Sequence, residues 1–264
     1  VSAVTRPVIA GNWKMNHGPA ETREFFRRFR RPSVPSRPTV ILFPPATSIA
    51  AARESLAGSA GIELGVQNIY WERSGAFTGE LSAEMAAEAG ATYVLVGHSE
   101  RRHGFGETDA ETSLKVQAAA RAELIPILCV GETLEEREAG GVHEVVARQM
   151  DAVAEALRAL PAKDLGGGGA SRGAFLVAYE PVWAIGTGKT ATPTDATDAH
   201  RIVRERLALV LGREAASSTT VLYGGSVKPE NAAQLLAAPD VDGLLVGGAS
   251  LDPEAFARIV AAAG

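Results

Sequence analysis

Tyr93-Val-Leu-Val-Gly97 and Leu124-Ile-Pro-Ile-Leu-Cys-Val130, with Asp109–Arg121 between them, read as strand, helix and strand. The two outer runs are apolar, bounded by polar turns and too short for buried helices. The middle segment is longer and amphipathic. Two strands joined through a helix form a parallel pair, because parallel neighbours need a crossover rather than a hairpin.

The same unit recurs in both directions. Strands are expected over Val8–Asn12, Thr39–Phe43, Glu63–Gln67, Tyr93–Gly97, Ile125–Val130, Phe175–Tyr179, Thr220–Tyr223 and Gly243–Val246. Amphipathic helices are expected over Ala20–Arg30, Ser48–Ala57, Ser82–Ala89, Asp109–Arg121, Val142–Leu160, Thr194–Leu211, Pro229–Ala237 and Pro253–Ala263. Within Val142–Leu160, apolar Val146, Met150, Val153 and Leu157 recur at three- and four-residue spacing, marking one buried face. Eight βα units suggest an α/β fold closed into a (β/α)8 barrel. An open doubly wound sheet stays possible on pattern alone. The 264 residues suit one domain spanning the chain, since single barrels run to about 250 residues.

Composition narrows the function classes. The formal net charge is −5 and the basic residues are dispersed, so nucleic acid is not an expected partner, and neither is a membrane. A small anionic substrate would need local positive groups. The apolar runs fall short of the roughly 20 residues that cross a bilayer, and Val1–Ala10 lacks the pattern of a signal peptide. Cys129 is the only cysteine, which removes intrachain disulfides and cysteine-based metal sites and fits a cytoplasmic protein. Gly166–Gly169 reads as a flexible surface connection before a strand, not a phosphate loop.

Polar residues gather where strands end. Asn12-Trp13-Lys14 follows the first strand, Gly97-His98-Ser99-Glu100-Arg101 the fourth and Glu180-Pro181-Val182-Trp183 the sixth. Tyr223-Gly224-Gly225-Ser226 follows the seventh, and Val246-Gly247-Gly248-Ala249-Ser250 the eighth. In a parallel barrel all these ends meet on one face, where barrel enzymes place their sites. Lys14 brings a positive charge, Asn12 a hydrogen-bond donor, His98 an acid, base or neutral donor, and Glu180 a carboxylate. The glycine pairs offer backbone N–H groups to an anion, and the last two loops are the usual phosphate site of such barrels. Each residue alone has a plainer reading. Lys14 could be a surface lysine, His98 a structural histidine, Glu180 a loop cap and Glu100 an ion-pair partner. Convergence at successive strand ends favours function. The five histidines show no metal-ligand spacing, no dinucleotide fingerprint is present, and no cofactor is called for.

Seven motifs along the whole length resemble the triosephosphate isomerase family. They are Gly11-Asn-Trp-Lys-Met-Asn16, Ser74-Gly-Ala-Phe-Thr-Gly-Glu80, Gly97-His-Ser-Glu-Arg-Arg102, Leu128-Cys-Val-Gly-Glu-Thr133, Ala178-Tyr-Glu-Pro-Val-Trp-Ala-Ile-Gly-Thr-Gly-Lys189, Tyr223-Gly-Gly-Ser-Val227 and Leu245-Val-Gly-Gly-Ala-Ser250. The resemblance implies a cofactor-free isomerisation of triose phosphates. It implies Glu180 as general base, His98 as neutral electrophile, Lys14 and Asn12 at the developing oxyanion, and Glu100 as a second carboxylate. The neutral state of His98 comes from the resemblance, for this enzyme is the established example of it. Gly186, Ser226, Gly247 and Gly248 would hold the phosphate beside Asn12 and Lys14. Pro181-Val182-Trp183-Ala184-Ile185-Gly186-Thr187-Gly188-Lys189 would be a mobile lid. The loop carrying Phe77-Thr78-Gly79 would join two copies in a homodimer. The rivals are another phosphosugar barrel enzyme and an inactive barrel kept for binding.

Overall fold

The computed structural model describes residues 4–57, 61–160, 175–185 and 191–264. Gly166–Gly169 lies outside them, as do Gly186, Thr187, Gly188 and Lys189 of the expected lid. Eight strands pair in parallel and in chain order, β1 (Val8–Asn12), β2 (Thr39–Phe43), β3 (Ile62–Val66), β4 (Tyr93–Val96), β5 (Ile125–Val130), β6 (Leu176–Tyr179), β7 (Thr220–Tyr223) and β8 (Gly243–Val246). Closure is direct: Val8 of β1 pairs with Thr39 of β2 on one side and with Gly243 of β8 on the other. The eight-stranded barrel replaces the open-sheet alternative.

Alternation along each strand divides the core in two. Val8, Ala10, Ile41, Phe43, Tyr93, Leu95, Ile127, Cys129, Leu176, Ala178, Leu222 and Leu245 fill the inside of the barrel. The intervening residues, such as Ile9, Leu42, Val94, Leu128, Val177, Val221 and Leu244, pack outward against the helices. Both sets are apolar, so the strands read as continuous hydrophobic runs.

The helices among the described residues are α1 (Pro19–Arg28), α2 (Ile49–Ser55), α3 (Ala83–Glu88), α4 (Ser99–Phe105), α5 (Asp109–Arg121), α6 (Leu134–Glu138), α7 (Val142–Ala152), α8 (Ala154–Arg158), α9 (Pro193–Leu211), α10 (Arg213–Ser218), α11 (Ala232–Leu236) and α12 (Pro253–Ala261). Three of them were not expected from the sequence. α4 is a helix where a turn was expected, because its polar residues carry no apolar stripe to betray the period. α6 opens with Thr133 and Glu136 capping one another, a short-range signature without a hydrophobic run behind it. α10 is a single polar turn and a half before β7. The expected helix Val142–Leu160 breaks at Val153 into α7 and α8. Its buried face survives the break, since Val146, Met150, Val153 and Leu157 are all buried. No helix among the described residues is long and apolar enough to cross a membrane.

Candidate active site

Parallel closure sets every strand's C-terminal end on one face, and the polar side chains follow from there. Asn12 ends β1 and is buried; its Oδ1 accepts the Lys14 N–H at 3.0 Å, and its Nδ2 lies 3.2 Å from His98 Nε2. Lys14 sits at φ 52°, a left-handed conformation that costs a non-glycine residue about 1 kcal/mol or more. Besides Asn12, two side chains fix this loop. Gln67, just past β3, donates to the carbonyls of Lys14 at 2.7 Å and Phe43 at 2.8 Å. The buried Trp13 donates its indole N–H to the Ser250 carbonyl at 3.0 Å, tying the first loop to the eighth. Lys14 Nζ then donates to Glu100 Oε1 at 2.5 Å.

The loop after β4 turns on Gly97 at φ 72°, where only glycine is unstrained. Both polar groups of that residue are clamped: its N–H donates to Glu107 Oε1 at 3.0 Å, and its carbonyl accepts Arg102 Nε at 2.7 Å. Glu107 is in turn bound by Arg101 at 2.6 Å and Lys115 at 2.5 Å. Burial opposes its charge, but Lys115 and Arg101 hold the carboxyl below the ordinary glutamate range. His98 therefore leaves a fixed peptide. It caps α4, and its Nδ1 accepts the Glu100 N–H at 3.3 Å. A ring nitrogen that accepts carries no proton, so the neutral imidazole bears its hydrogen on Nε2.

Glu180, directly after β6, is 2% exposed. Its Oε1 lies 3.0 Å from His98 Nε2 and its Oε2 accepts the Ser99 N–H at 2.8 Å. Burial works against the carboxylate, yet His98, the Ser99 N–H and Lys14 outweigh it and hold Glu180 below its usual range. Burial likewise disfavours a charged His98, but the Glu180 carboxylate, with Glu100 behind it, shifts that histidine upward. The pair is thus braced by one short contact in this arrangement.

Gly131 explains how Glu180 fits. A Cβ at Gly131 would lie 1.8 Å from the Glu180 carbonyl oxygen, while the buried Gln149 side chain satisfies both backbone groups of Gly131 at 2.8 and 3.2 Å. Gly131→Ala is expected to cost about 1–3 kcal/mol by overpacking, lowering Tm by roughly 3–10 °C and turnover with it. A thermal melt and an activity assay check this; wild-type values in both would show that the Glu180 backbone can yield.

These groups border a cavity of about 330 Å³ lined by Asn12, Lys14, His98, Glu180, Ile185, the turn Gly224–Lys228, Leu245 and Gly247–Ala249. Its far wall is the short 3-10 turn Gly248–Ser250 after β8. Leading N–H groups of such a turn have no partner within it and suit an anion. Of the residues proposed from sequence, the cavity brings together Asn12, Lys14, His98, Glu180, Ile185, Ser226, Gly247 and Gly248. Glu100 stands at its edge, half exposed and 2.5 Å from Lys14. Thr78 does not line it, and the proposed phosphate ligand Gly186 lies outside the described residues.

Sequence reasoning passed over the contacts around Val182–Ala184, in the first half of the expected lid. Val182–Ala184 forms a 3-10 turn. The fully buried Glu132 accepts from Tyr179 Oη at 2.9 Å, Trp183 Nε1 at 2.9 Å and Arg137 at 3.2 Å. The Arg137 guanidinium lies 4.6 Å from the centre of the Trp183 ring and also pairs with Asp195 at 2.5 Å, at the start of α9. The available signal was positional: Glu132 is an acid soon after an all-apolar strand, like Glu180 itself. Gln67 and Gln149 carried no such signal.

Comparison with known proteins agrees with this geometry. The family model described as triosephosphate isomerase matches residues 7–263. A triosephosphate isomerase of Moorella thermoacetica is 50% identical over 255 residues, covering 97% of this chain and 98% of the relative. One from Solibacter usitatus is 47% identical over 257 residues, covering 97% and 98%. A third, from Alkalilimnicola ehrlichii, is 47% identical over 258 residues, covering 98% of each. The matched residues include every strand that carries a cavity group, and the chain belongs to the triosephosphate isomerase family.

Proposed function

We propose that this cavity interconverts dihydroxyacetone phosphate and glyceraldehyde 3-phosphate through an enediolate, with Glu180 carrying the proton between neighbouring carbons. The observation that carries this reading is the contact of Glu180 Oε1 with His98 Nε2 at 3.0 Å, beside Asn12 and Lys14 in a cavity walled by glycine turns. Glu180 removes a proton from the carbon beside the carbonyl and returns it to the neighbouring carbon. The hydroxyl proton meanwhile passes from one substrate oxygen to the other through His98 Nε2, which gives its proton to the first and takes one from the second. The isomerisation is internally redox-neutral and balances without a cofactor. His98, Lys14 and Asn12 face the oxygens on which charge develops, and they accelerate the step because that charge is greatest in the transition state. When Glu180 turns from His98 to the substrate, His98 loses the neighbour that raised it. Burial and the Glu100 N–H on Nδ1 then favour a neutral ring donating from Nε2. Glu100 stays paired with Lys14 and sets its position. Ser226, Gly247 and Gly248, with Gly186, bind the phosphate, and Pro181–Lys189 covers it. A coupled assay with glyceraldehyde 3-phosphate tests the reading; no turnover would reject it in favour of another phosphosugar reaction or an inactive barrel.

We read the chain as one catalytic barrel domain in the cytoplasm, supported by the unbroken match over residues 7–263 and by a single, buried cysteine, Cys129. We also read it as a homodimer. Residues 72–80 are all exposed, Phe77 among them, and Met15 beside Lys14 is 96% exposed. Water is a poor environment for that set, and a second copy docking the loop beside Asn12 and Lys14 would cover it. Thr78→Arg is then expected to yield monomers with activity lower by roughly 10–10²-fold, through misplacement of the site. Sedimentation velocity with a parallel assay checks it, and a fully active wild-type monomer would end the dimer reading.

A further inference from the structure

We propose that Lys228 steers the dianionic phosphate of the substrate into the cavity, acting at a distance before contact rather than as a ligand of the bound phosphate. The inference rests on the reading of triose phosphates as substrates. The chain carries 26 basic and 31 acidic residues, so its overall field repels such an anion. The charges at the site do not correct this. Among the described residues lining the cavity, Lys14, Glu180 and Lys228 are the side chains with full charges beside His98. Lys14 is engaged by Glu100 at 2.5 Å, and Glu180 is held as a carboxylate. Without Lys228, one cation faces two carboxylates.

Lys228 is placed for the opposite effect. It follows the Gly224–Val227 turn at the rim, and its side chain is exposed. Its backbone is fixed: the N–H donates to Asn231 Oδ1 at 2.8 Å, Asn231 Nδ2 donates to the Ser226 carbonyl at 3.0 Å, and the Lys228 carbonyl accepts the N–H groups of Asn231 and Ala232 at 3.2 and 3.1 Å. Among the described residues its ammonium has no hydrogen-bond or ion-pair partner. The backbone is anchored, while among the described residues the exposed charge is not spent on a partner. An exposed flexible ammonium gains little from any one contact. Its field still reaches an incoming dianion over the screening length, about 30 Å at 0.01 M salt and about 8 Å at 0.15 M.

The test compares kcat and kcat/KM of the wild type with Lys228→Gln, Lys228→Glu and Lys228→Arg at low and high ionic strength. At about 10 mM salt, Gln is expected to lower kcat/KM about 3–5-fold and Glu about 10–25-fold, the second charge step repeating the first on a logarithmic scale. Arg restores the wild-type value, kcat is unchanged throughout, and at about 0.5 M salt the four proteins converge. Deuterium uptake from solvent by unphosphorylated glyceraldehyde, a neutral molecule, stays equal in all four. An unchanged kcat/KM for Glu at low salt overturns the proposal. So does a loss that ignores salt, falls on kcat, or carries over to the neutral aldehyde, since each marks a contact or structural role. If the wild type turns over no triose phosphate, the substrate reading fails by itself. Calorimetric titration with inorganic phosphate then applies the same salt and charge-step comparison to Lys228.

Discussion

Glu180→Gln is expected to leave the barrel folded and to lower kcat by about 10²–10⁴-fold, the usual cost of losing a general base. The substitution is nearly isosteric in a site that is 2% exposed, so neither a void nor a clash is created. The amide oxygen can keep the Ser99 N–H that Oε2 now accepts at 2.8 Å. The NH₂ group would then face His98 Nε2 in place of Oε1, a donor set against a donor. Relieving that mismatch needs the other imidazole tautomer, whose Nδ1–H would oppose the Glu100 N–H. A modest loss of stability follows, of about 1 kcal/mol, while the proton acceptor is gone altogether. Circular dichroism and a thermal melt report the first effect; deuterium exchange at the substrate carbon reports the second. A variant retaining more than roughly a tenth of wild-type turnover would remove Glu180 from the role of base.

The strands were the most legible part of this molecule. β1, β2, β5, β7 and β8 begin and end at the residues expected from sequence. Each is an apolar run stopped by a residue of different character, and burial on both faces leaves no alternation to confuse the period. Helices were less legible where packing did not shape the sequence. α4 is held by a histidine cap and by ion pairs of Arg101 and Arg102, all contacts to residues outside it. The site could be read for a related reason. Asn12, His98 and Glu180 interrupt or follow apolar runs at the strand ends that a barrel gathers on one face, so residue type and position pointed to the same cavity. Gln67, Gln149 and Glu132 act through partners 53, 18 and 51 residues away. Glu132 at least follows an all-apolar strand, but nothing local distinguishes the two glutamines from solvated ones; only the closed barrel brings their partners within reach.

Lys14→Met should lower kcat/KM by at least about 10²–10³-fold, the range for removing one preorganised group that meets developing charge. The methionine keeps a flexible stem of similar length, so the stem's place beside Gly247 in the cavity wall survives. The backbone strain at φ 52° survives as well, because Gln67 holds the Lys14 carbonyl whatever the side chain. The charges left behind change the most. Glu100 loses its partner at 2.5 Å and Glu180 loses a nearby cation that helps keep it ionised. An anionic substrate would then approach two carboxylates with Lys228 at the rim as the one cation left among the described lining residues. Both binding and the chemical step should suffer, so KM rises while kcat falls, which separates Lys14 from the distant effect assigned to Lys228. Double substitution sharpens the test. Lys14→Met with Glu100→Gln removes the orphaned carboxylate and should recover part of the binding loss, but not kcat, if the ammonium meets the substrate oxygen directly. Full recovery of kcat in the double variant would mean that Lys14 serves only to neutralise Glu100.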